Sequence, residues 1–162
     1  MAIKNIRTVE DNILKKVSKP VKEINDKIIT LLDDMTDTMI DRNGVGLAAV
    51  QVGALRRVAI IDAPNTEEFG EDYDDEIIEM INPEILEING QVIKNEGCLS
   101  IPGKAGTVSR PENLKVKFLN RDGESVIIEA TGYRARAISH ELDHLDGILF
   151  TDKVIEFTDN EK

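Results

Sequence analysis

Hydrophobic and polar residues follow two different periods along the chain. From Pro20 onward, apolar residues recur every three or four positions with charged residues between them, which predicts an amphipathic helix. Its apolar positions are Ile24, Ile28, Leu31, Leu32, Met35 and Met39. Asn43 and Gly44 are residues that commonly end a helix. The same period predicts a second helix from about Tyr133 to Asp146, ended by Gly147, whose core-facing positions are Ala137, Ile138, Leu142 and Leu145.

Between the two helices, apolar residues alternate with the two-residue period of half-buried strands. The predicted strands cover 57–62, 77–81, 84–88, the region of Val108, 114–119 and 125–128. Asn82 and Pro83 separate the second strand from the third, and Asn89-Gly90 indicates a β-hairpin. Strands that follow one helix and precede another indicate an α+β fold. We therefore expect antiparallel β-sheets packed around the C-terminal helix, with an N-terminal helix.

The ten residues 44–53, GVGLAAVQVG, are unusually small. Such residues allow the backbone to approach another group closely, so this segment is predicted to line a narrow cleft rather than to form a packed element. A dinucleotide-binding loop is the alternative, but that motif follows a strand, whereas a helix precedes this segment. Gln51 is the polar side chain of the segment.

The length of 162 residues predicts one catalytic domain spanning the whole chain, 1–162. The net charge of −11 is local, because eleven acids and no Lys or Arg lie between Arg57 and Lys94. This distribution predicts an acidic surface loop at 63–76, and a second, short acidic tail follows at 151–162. Direct nucleic-acid binding is disfavoured because it requires clustered Lys and Arg.

A single cysteine, Cys98, excludes an internal disulfide framework. The N-terminus has charges throughout, unlike a secretory signal peptide, and no apolar stretch is long enough to cross a membrane. We therefore expect a cytoplasmic protein without membrane contact, and a monomer.

Both histidines of the chain lie in the five residues 140–144, HELDH. On a helix, His140 and His144 share one face and can bind one metal ion, while Glu141 can reach a water beside it. No His follows, and nothing around Glu156 resembles a second metal-binding helix. Cys98, in the predicted loop segment EGCLS, is therefore the expected third ligand. Two His and one Cys suit both Fe²⁺ and Zn²⁺ and leave a fourth position open, which is typical of a catalytic metal.

Three motifs occur together in this order: GVGLAAVQ at 44–51, EGCLS at 96–100 and HELDH at 140–144. In sequence and spacing they resemble those of the peptide deformylase family, in its compact bacterial form. The resemblance implies a hydrolase that removes the N-formyl group from formylmethionine on new polypeptides and releases formate. It implies a metal ion on Cys98, His140 and His144, most commonly Fe²⁺, with Zn²⁺ or Ni²⁺ as substitutes.

The resemblance also implies roles for further residues. Glu141 would be the general base and acid, while Gln51 and the backbone N–H of Leu99 would stabilise the oxyanion. The backbone of Val45 and Gly46 would pair with an extended substrate, with Gly97 nearby. Arg110 either guides the peptide, pairs with Glu96, or is an ordinary surface arginine. Ser139 stands where many members have Gln.

N-formylmethionyl nascent peptides are the implied partners. Some members carry a longer C-terminal helix for ribosome docking, so with this short tail we expect at most a transient ribosome contact. Three alternatives stay open from the sequence: an H-E-x-x-H metallo-endopeptidase, a metal-stabilised binding module without catalysis, and a structural protein with a buried thiol at Cys98.

Overall fold

The computed structural model describes residues 2–66 and 77–158, so most of the predicted acidic loop and the last four residues of the tail lie outside the described residues. Its two α-helices are α1, Asp26–Asp41, and α2, Gly132–Leu145. Short 3₁₀ helices cover Asn12–Lys15, Ala49–Val52 and Phe150–Asp152. The strands are β1 Gly46–Ala48, β2 Val58–Ile61, β3 Ile78–Asn89, β4 Val92–Cys98, β5 Ile101–Arg110, β6 Asn113–Leu119, β7 Ser125–Thr131 and β8 Glu156–Phe157.

The strands form two antiparallel sheets, which confirms the predicted α+β class. One sheet has the order β1-β2-β3-β6-β7 and the other the order β4-β5-β8. The two α-helices pack on opposite faces of the five-stranded sheet, because side chains alternate along its strands. On β2, Val58 and Ile60 join the core under α1, whereas Ala59 and Ile61 join the core around α2. Helix α2 also contacts β5 of the smaller sheet.

Helix α1 begins later than the apolar period predicts. The side chain of Asn25 accepts a hydrogen bond from the backbone N–H of Ile28, so it caps the helix, and Pro20 and Ile24 precede it. The predicted end is confirmed, since residues 42 and 43 follow α1 in a turn. Helix α2 has the predicted bounds to within one residue at each end, and Gly147 follows it with a φ of 75°.

Two of the strand predictions were wrong. Residues 78–81 and 84–88 belong to one strand, β3, which is bent rather than broken at Asn82, where φ is 52° and the pairing with β6 shifts register. The predicted turn forms at Asn89-Gly90, where Gly90 has a φ of 73°, but the two strands that it connects do not pair with each other. Strand β3 pairs with β6, and β4 pairs with β5 in the other sheet. The turn therefore carries the chain from one sheet to the other.

The small-residue segment is also more ordered than predicted. Gly46–Ala48 form the edge strand β1, Ala49–Val52 form a 3₁₀ helix, and residues 46–52 are buried. The segment is thus a packed element. Only Val45 at its start is well exposed.

Within the described residues, no helix is long and apolar enough to cross a membrane.

Candidate metal centre and active site

The two histidines lie on helix α2, in the interior of the protein. His140 and His144 are both buried, and their rings lie edge to face with centroids 5.0 Å apart. This is the placement expected for residues four apart on one helical face. The ring of Phe150, from the 3₁₀ helix after α2, stacks on His140 at 6.3 Å. Both imidazoles are therefore held by packing before any ligand binds.

The third candidate ligand, Cys98, is the last residue of β4 rather than part of a loop. The pairing of β4 with β5 shifts register between Glu96 and Cys98. Its Sγ lies 3.3 Å from Nε2 of His144. Ligand atoms of Cys98, His140 and His144 all lie within 4.8 Å of one another, and no other such group occurs in 2–66 and 77–158.

The two imidazoles differ in their affinity for protons. Burial lowers the pKa of His144 to about 3, with a further contribution from the neighbouring His140. Burial also disfavours charge on His140, but its hydrogen bonds with Cys98 and Glu96 outweigh this and raise its pKa to about 10. His140 is therefore the more basic of the two imidazoles. A metal ion needs both imidazoles neutral, so its binding competes with a proton on His140.

These three side chains fit a divalent metal ion. One thiolate and two neutral imidazoles are ordinary donors for Fe²⁺ or Zn²⁺, and three protein ligands leave a fourth position for water or substrate. Cys98 and His140 also line a cleft of about 430 Å³.

Glu141 lies beside the cluster with its carboxylate in the cleft. It is 5% exposed, and its Oε1 atom has no hydrogen-bond partner among the described residues. Burial raises the pKa of this carboxyl to about 7, although the charges of His140 and Arg110 lower it. A carboxyl with a pKa near 7 can both accept and donate a proton under physiological conditions.

Gln51 lies beside Cys98 of the cluster. Its Oε1 accepts a hydrogen bond of 2.9 Å from the backbone N–H of Ala48, which fixes the orientation of the amide. Its Nε2 donates to Oγ of Ser100 at 3.1 Å and lies 3.6 Å from Sγ of Cys98. The amide therefore presents N–H groups to the cluster. Ser100 is fully buried, and its part in holding Gln51 was not foreseen from the sequence.

The remaining predicted substrate contacts line the same cleft. Leu99 lies in the turn directly after Cys98, and Val45, Gly46 and Gly97 line the cleft as well. The two glycines differ in what surrounds them. A β-carbon at position 46 would meet Glu141, whereas one at position 97 would have only a backbone oxygen at 3.5 Å.

Arg110, a predicted substrate contact, does not line the cleft. It is 2% exposed and forms a double hydrogen bond of 2.8 and 2.9 Å with the carboxylate of Glu96. It also donates to Asp143 at 2.6 Å and to Oγ of Ser139 at 3.3 Å. The structure thus pairs Arg110 with Glu96 behind His140. Neither the peptide-guiding role nor the surface position fits this placement.

Glu96 connects this arginine to the metal cluster. Its Oε1 lies 3.0 Å from Nδ1 of His140. Burial alone would raise the pKa of Glu96, but the hydrogen bonds from His140 and Arg110 lower it to about 2. Glu96 therefore stays ionised and accepts a hydrogen bond from the imidazole N–H of His140.

Comparison with known proteins gives one consistent result. The family model for polypeptide deformylase matches residues 3–160. A peptide deformylase of Acetivibrio thermocellus is 53% identical over 162 residues, which is all of this chain and 89% of that protein. One of Caldanaerobacter subterraneus subsp. tengcongensis is 51% identical over the same length, which is 96% of that protein.

Solved structures lead to the same family. The peptide deformylase of Thermotoga maritima superimposes with a TM-score of 0.86 at 37% identity, over 95% of this chain and 99% of that one. A class I type b peptide deformylase of Acinetobacter baumannii, solved with Met-Ala-Ser bound, has a TM-score of 0.85 at 37% identity, over 94% and 100% of the two chains. The chain therefore belongs to the peptide deformylase family, whose members are metal-dependent hydrolases that remove N-formyl groups from newly made polypeptides.

Proposed function

We propose that the cluster of Cys98, His140 and His144 is the metal centre at which this enzyme hydrolyses the formyl group of N-formylmethionyl peptides. One observation carries the assignment: three ligand atoms within 4.8 Å of one another adjoin the buried carboxylate of Glu141, whose Oε1 has no hydrogen-bond partner among the described residues. A divalent ion bound there supplies Lewis acidity, which makes hydroxide available near neutral pH and polarises a carbonyl group.

In this proposal Glu141 moves the protons. As the water attacks the formyl carbon, the carboxylate of Glu141 takes the water proton. The same carboxyl group then donates that proton to the departing amine, which gives a free α-amine and formic acid, and the acid ionises to formate as it leaves. The raised pKa of Glu141, about 7, suits both directions of transfer.

Gln51 and Leu99 are proposed to stabilise the charge that develops on the formyl oxygen. The Nε2 group of Gln51 is already oriented by Ala48 and Ser100. The backbone N–H of Leu99, directly after Cys98, is the second proposed donor. Preorganised donors of this kind lower a barrier by roughly 3–4 kcal/mol each in other acyl-transfer enzymes.

The shape of the cleft supports a peptide substrate. Strand β1 is an edge of the five-stranded sheet and β4 is an edge of the smaller sheet. The cleft is lined by residues on or beside both strands, including Val45, Gly46 and Gly97. An extended peptide can add to such edges through backbone hydrogen bonds. The Met-Ala-Ser peptide bound to the Acinetobacter baumannii relative has the chemistry of a deformylated product.

The close packing around position 46 also favours a formyl group over larger acyl groups. A formyl carbon carries only hydrogen, whereas an acetyl carbon would need room for a methyl group beside Gly46 and Glu141. We propose Fe²⁺ as the native ion, with Zn²⁺ or Ni²⁺ able to replace it, because one thiolate and two imidazoles suit all three. We further propose that residues 1–162 act as one catalytic domain, as a cytoplasmic monomer with at most transient ribosome contact.

A direct test compares two substrates with metal-loaded enzyme. We expect formate release from formyl-Met-Ala and no cleavage of an N-blocked internal peptide. Cleavage of the internal peptide without formate release would instead support an H-E-x-x-H endopeptidase, which the family membership already disfavours. The Glu141→Ala variant should fold and bind its metal, yet lose activity about 10²–10⁴-fold, since it lacks only the proton-transfer group. A variant with full activity would exclude the proposed role of Glu141.

A further inference from the structure

Arg136 lies on α2, one helical turn before His140, and has a buried side chain. Its guanidinium group makes three hydrogen bonds. The Nη1 atom donates to Oε2 of Glu96, and the Nη2 atom donates to the backbone oxygens of Val92 at 2.6 Å and Val108 at 3.1 Å. Each partner lies on the β4–β5 pair rather than on the helix itself.

These bonds join the two elements that carry the metal ligands. Helix α2 carries His140 and His144, while β4 ends at Cys98. Val92 and Glu96 belong to β4, and Val108 lies on its neighbour β5. Because the arginine is planar and rigid at its tip, three bonds in one plane fix the position of the helix relative to the strand. The separation between the imidazoles and the thiol depends on that position.

A second arginine holds the same carboxylate from another direction. Arg110 donates two hydrogen bonds to Glu96, and Glu96 in turn lies 3.0 Å from Nδ1 of His140. With both carboxylate oxygens fixed, the Nδ1–H of His140 has one defined acceptor, and its Nε2 atom is left for a metal ion. Arg136 therefore acts on His140 by fixing Glu96 and on Cys98 by fixing β4.

We propose that Arg136 is a positioning residue of the metal centre, which fixes α2 against β4 so that His140, His144 and Cys98 are arranged for metal before the ion binds. This inference rests on the proposed function only in that it takes these three residues as the ligands. It predicts that Arg136 controls how firmly a metal ion is retained. It assigns no contact between Arg136 and the reacting atoms.

The test measures metal retention in the absence of substrate. Wild type and Arg136→Met are loaded with Co²⁺, and the thiolate-to-cobalt absorption band is followed after addition of excess EDTA. Methionine keeps the length and apolar stem of the side chain but removes all three hydrogen bonds. We expect the variant to lose Co²⁺ about 10–100 times faster than wild type, as for other groups that orient metal ligands.

Arg121→Met is a matched control. Arg121 also joins a helix to a strand, since it donates to Asp33 of α1 at 2.8 Å and to Glu79 of β3 at 2.6 and 2.8 Å. It contacts none of the metal ligands. This variant should lose Co²⁺ within about twofold of the wild-type rate, which would show that loss of an arginine crosslink does not by itself release the metal.

Equal Co²⁺ loss from wild type and Arg136→Met would overturn the proposal, as would an equal acceleration in Arg121→Met. Arg136 also lines the cleft. A changed KM with unchanged Co²⁺ loss would therefore overturn the proposal, because Arg136 would then act on the substrate and not on the metal ligands. If Arg136→Met does not fold, Arg136→Lys is used, which keeps the charge but cannot span the three acceptors. It should still lose Co²⁺ faster than wild type, and an equal rate would contradict the proposal. Failure of wild type itself to bind Co²⁺ would instead refute the proposed metal centre.

Discussion

Gly46 lies against the carboxylate of Glu141. A β-carbon at position 46 would lie 2.8 Å from Oε2 and 3.0 Å from Cγ of Glu141, closer than unstrained atoms approach. The edge strand β1 thus passes close to the proposed base, and the absence of a side chain at position 46 leaves room for it. Glycine at position 46 is therefore explained by the space that Glu141 needs as well as by packing.

We therefore expect Gly46→Ala to displace Glu141 and reduce kcat/KM by about 100-fold, the lower end of the contribution of a positioned proton-transfer group. Metal content should remain normal, because Gly46 contacts no ligand. The measurement is steady-state hydrolysis of formyl-Met-Ala alongside metal analysis.

A double-mutant cycle identifies the cause of that loss. Aspartate at position 141 is one methylene shorter and leaves space for the new β-carbon. Adding Gly46→Ala to Glu141→Asp should therefore cost much less than adding it to wild type. Equal costs in the two backgrounds would show that Gly46 acts independently of Glu141.

Glu141→Met should separate activity from stability. The carboxylate is buried and its Oε1 has no partner among the described residues, so the metal-free fold carries its desolvation cost. Methionine has a similar length and no charge. We expect activity to vanish while the free energy of unfolding of the metal-free protein rises by about 1–3 kcal/mol. Urea unfolding monitored by circular dichroism checks this, and a destabilised variant would indicate that the carboxylate is stabilised by a contact.

The grouping of Cys98, His140 and His144, the proposed metal ligands, could be predicted from the sequence. A spacing of four residues on a helix is sufficient to bring His140 and His144 together. Because no other candidate ligand follows them in the sequence, Cys98 is the expected third ligand. Arg136 was not predicted, although it stands four residues before His140 among alanines, on the same buried face. A buried arginine at that spacing indicates a contact with a group that supports the histidine. Its partners lie on β4 and β5, more than 25 residues away in sequence, so they could not be identified from local sequence.

The strand pairings show the same limit. Asn89 and Gly90 have the sequence of a hairpin turn, and Gly90 adopts the positive φ that such a turn requires. Local turn chemistry determines the backbone at the turn but not the partner of each strand. That choice depends on which faces become buried. Strand β3 pairs with β2 and β6 and buries Met80 and Ile81, while Ile85, Leu86 and Ile88 stay exposed. Similarly, Ala48 and Ala49 pack into buried positions on opposite sides of the main sheet.

Gln51→Ala tests the proposed oxyanion donor. Loss of its Nε2 group should reduce kcat about 10²–10³-fold with little change in KM, because the donor acts on charge that develops only in the transition state. Ser100→Ala provides the graded comparison, since Ser100 only accepts from Gln51 and the bond to Ala48 remains. It should lower kcat by less than tenfold. A rise in KM alone for Gln51→Ala would make Gln51 a ground-state binding residue.

Asn82 is expected to matter for stability but not for catalysis. Its side chain pairs with the backbone of Val21, accepting from the N–H at 2.8 Å and donating to the carbonyl at 2.9 Å, while its own φ is 52°. It thus attaches the segment before α1 to the bend in β3. We expect Asn82→Ala to lose about 2–3 kcal/mol, from two hydrogen bonds and the strained backbone, with kcat/KM unchanged in the folded fraction. Asn82→Gly also lacks the two hydrogen bonds to Val21, but glycine adopts this φ without strain. Its free energy of unfolding, measured by chemical denaturation, should therefore lie between those of Asn82→Ala and wild type. Equal stability of the glycine variant and wild type would show that the bonds to Val21 contribute nothing.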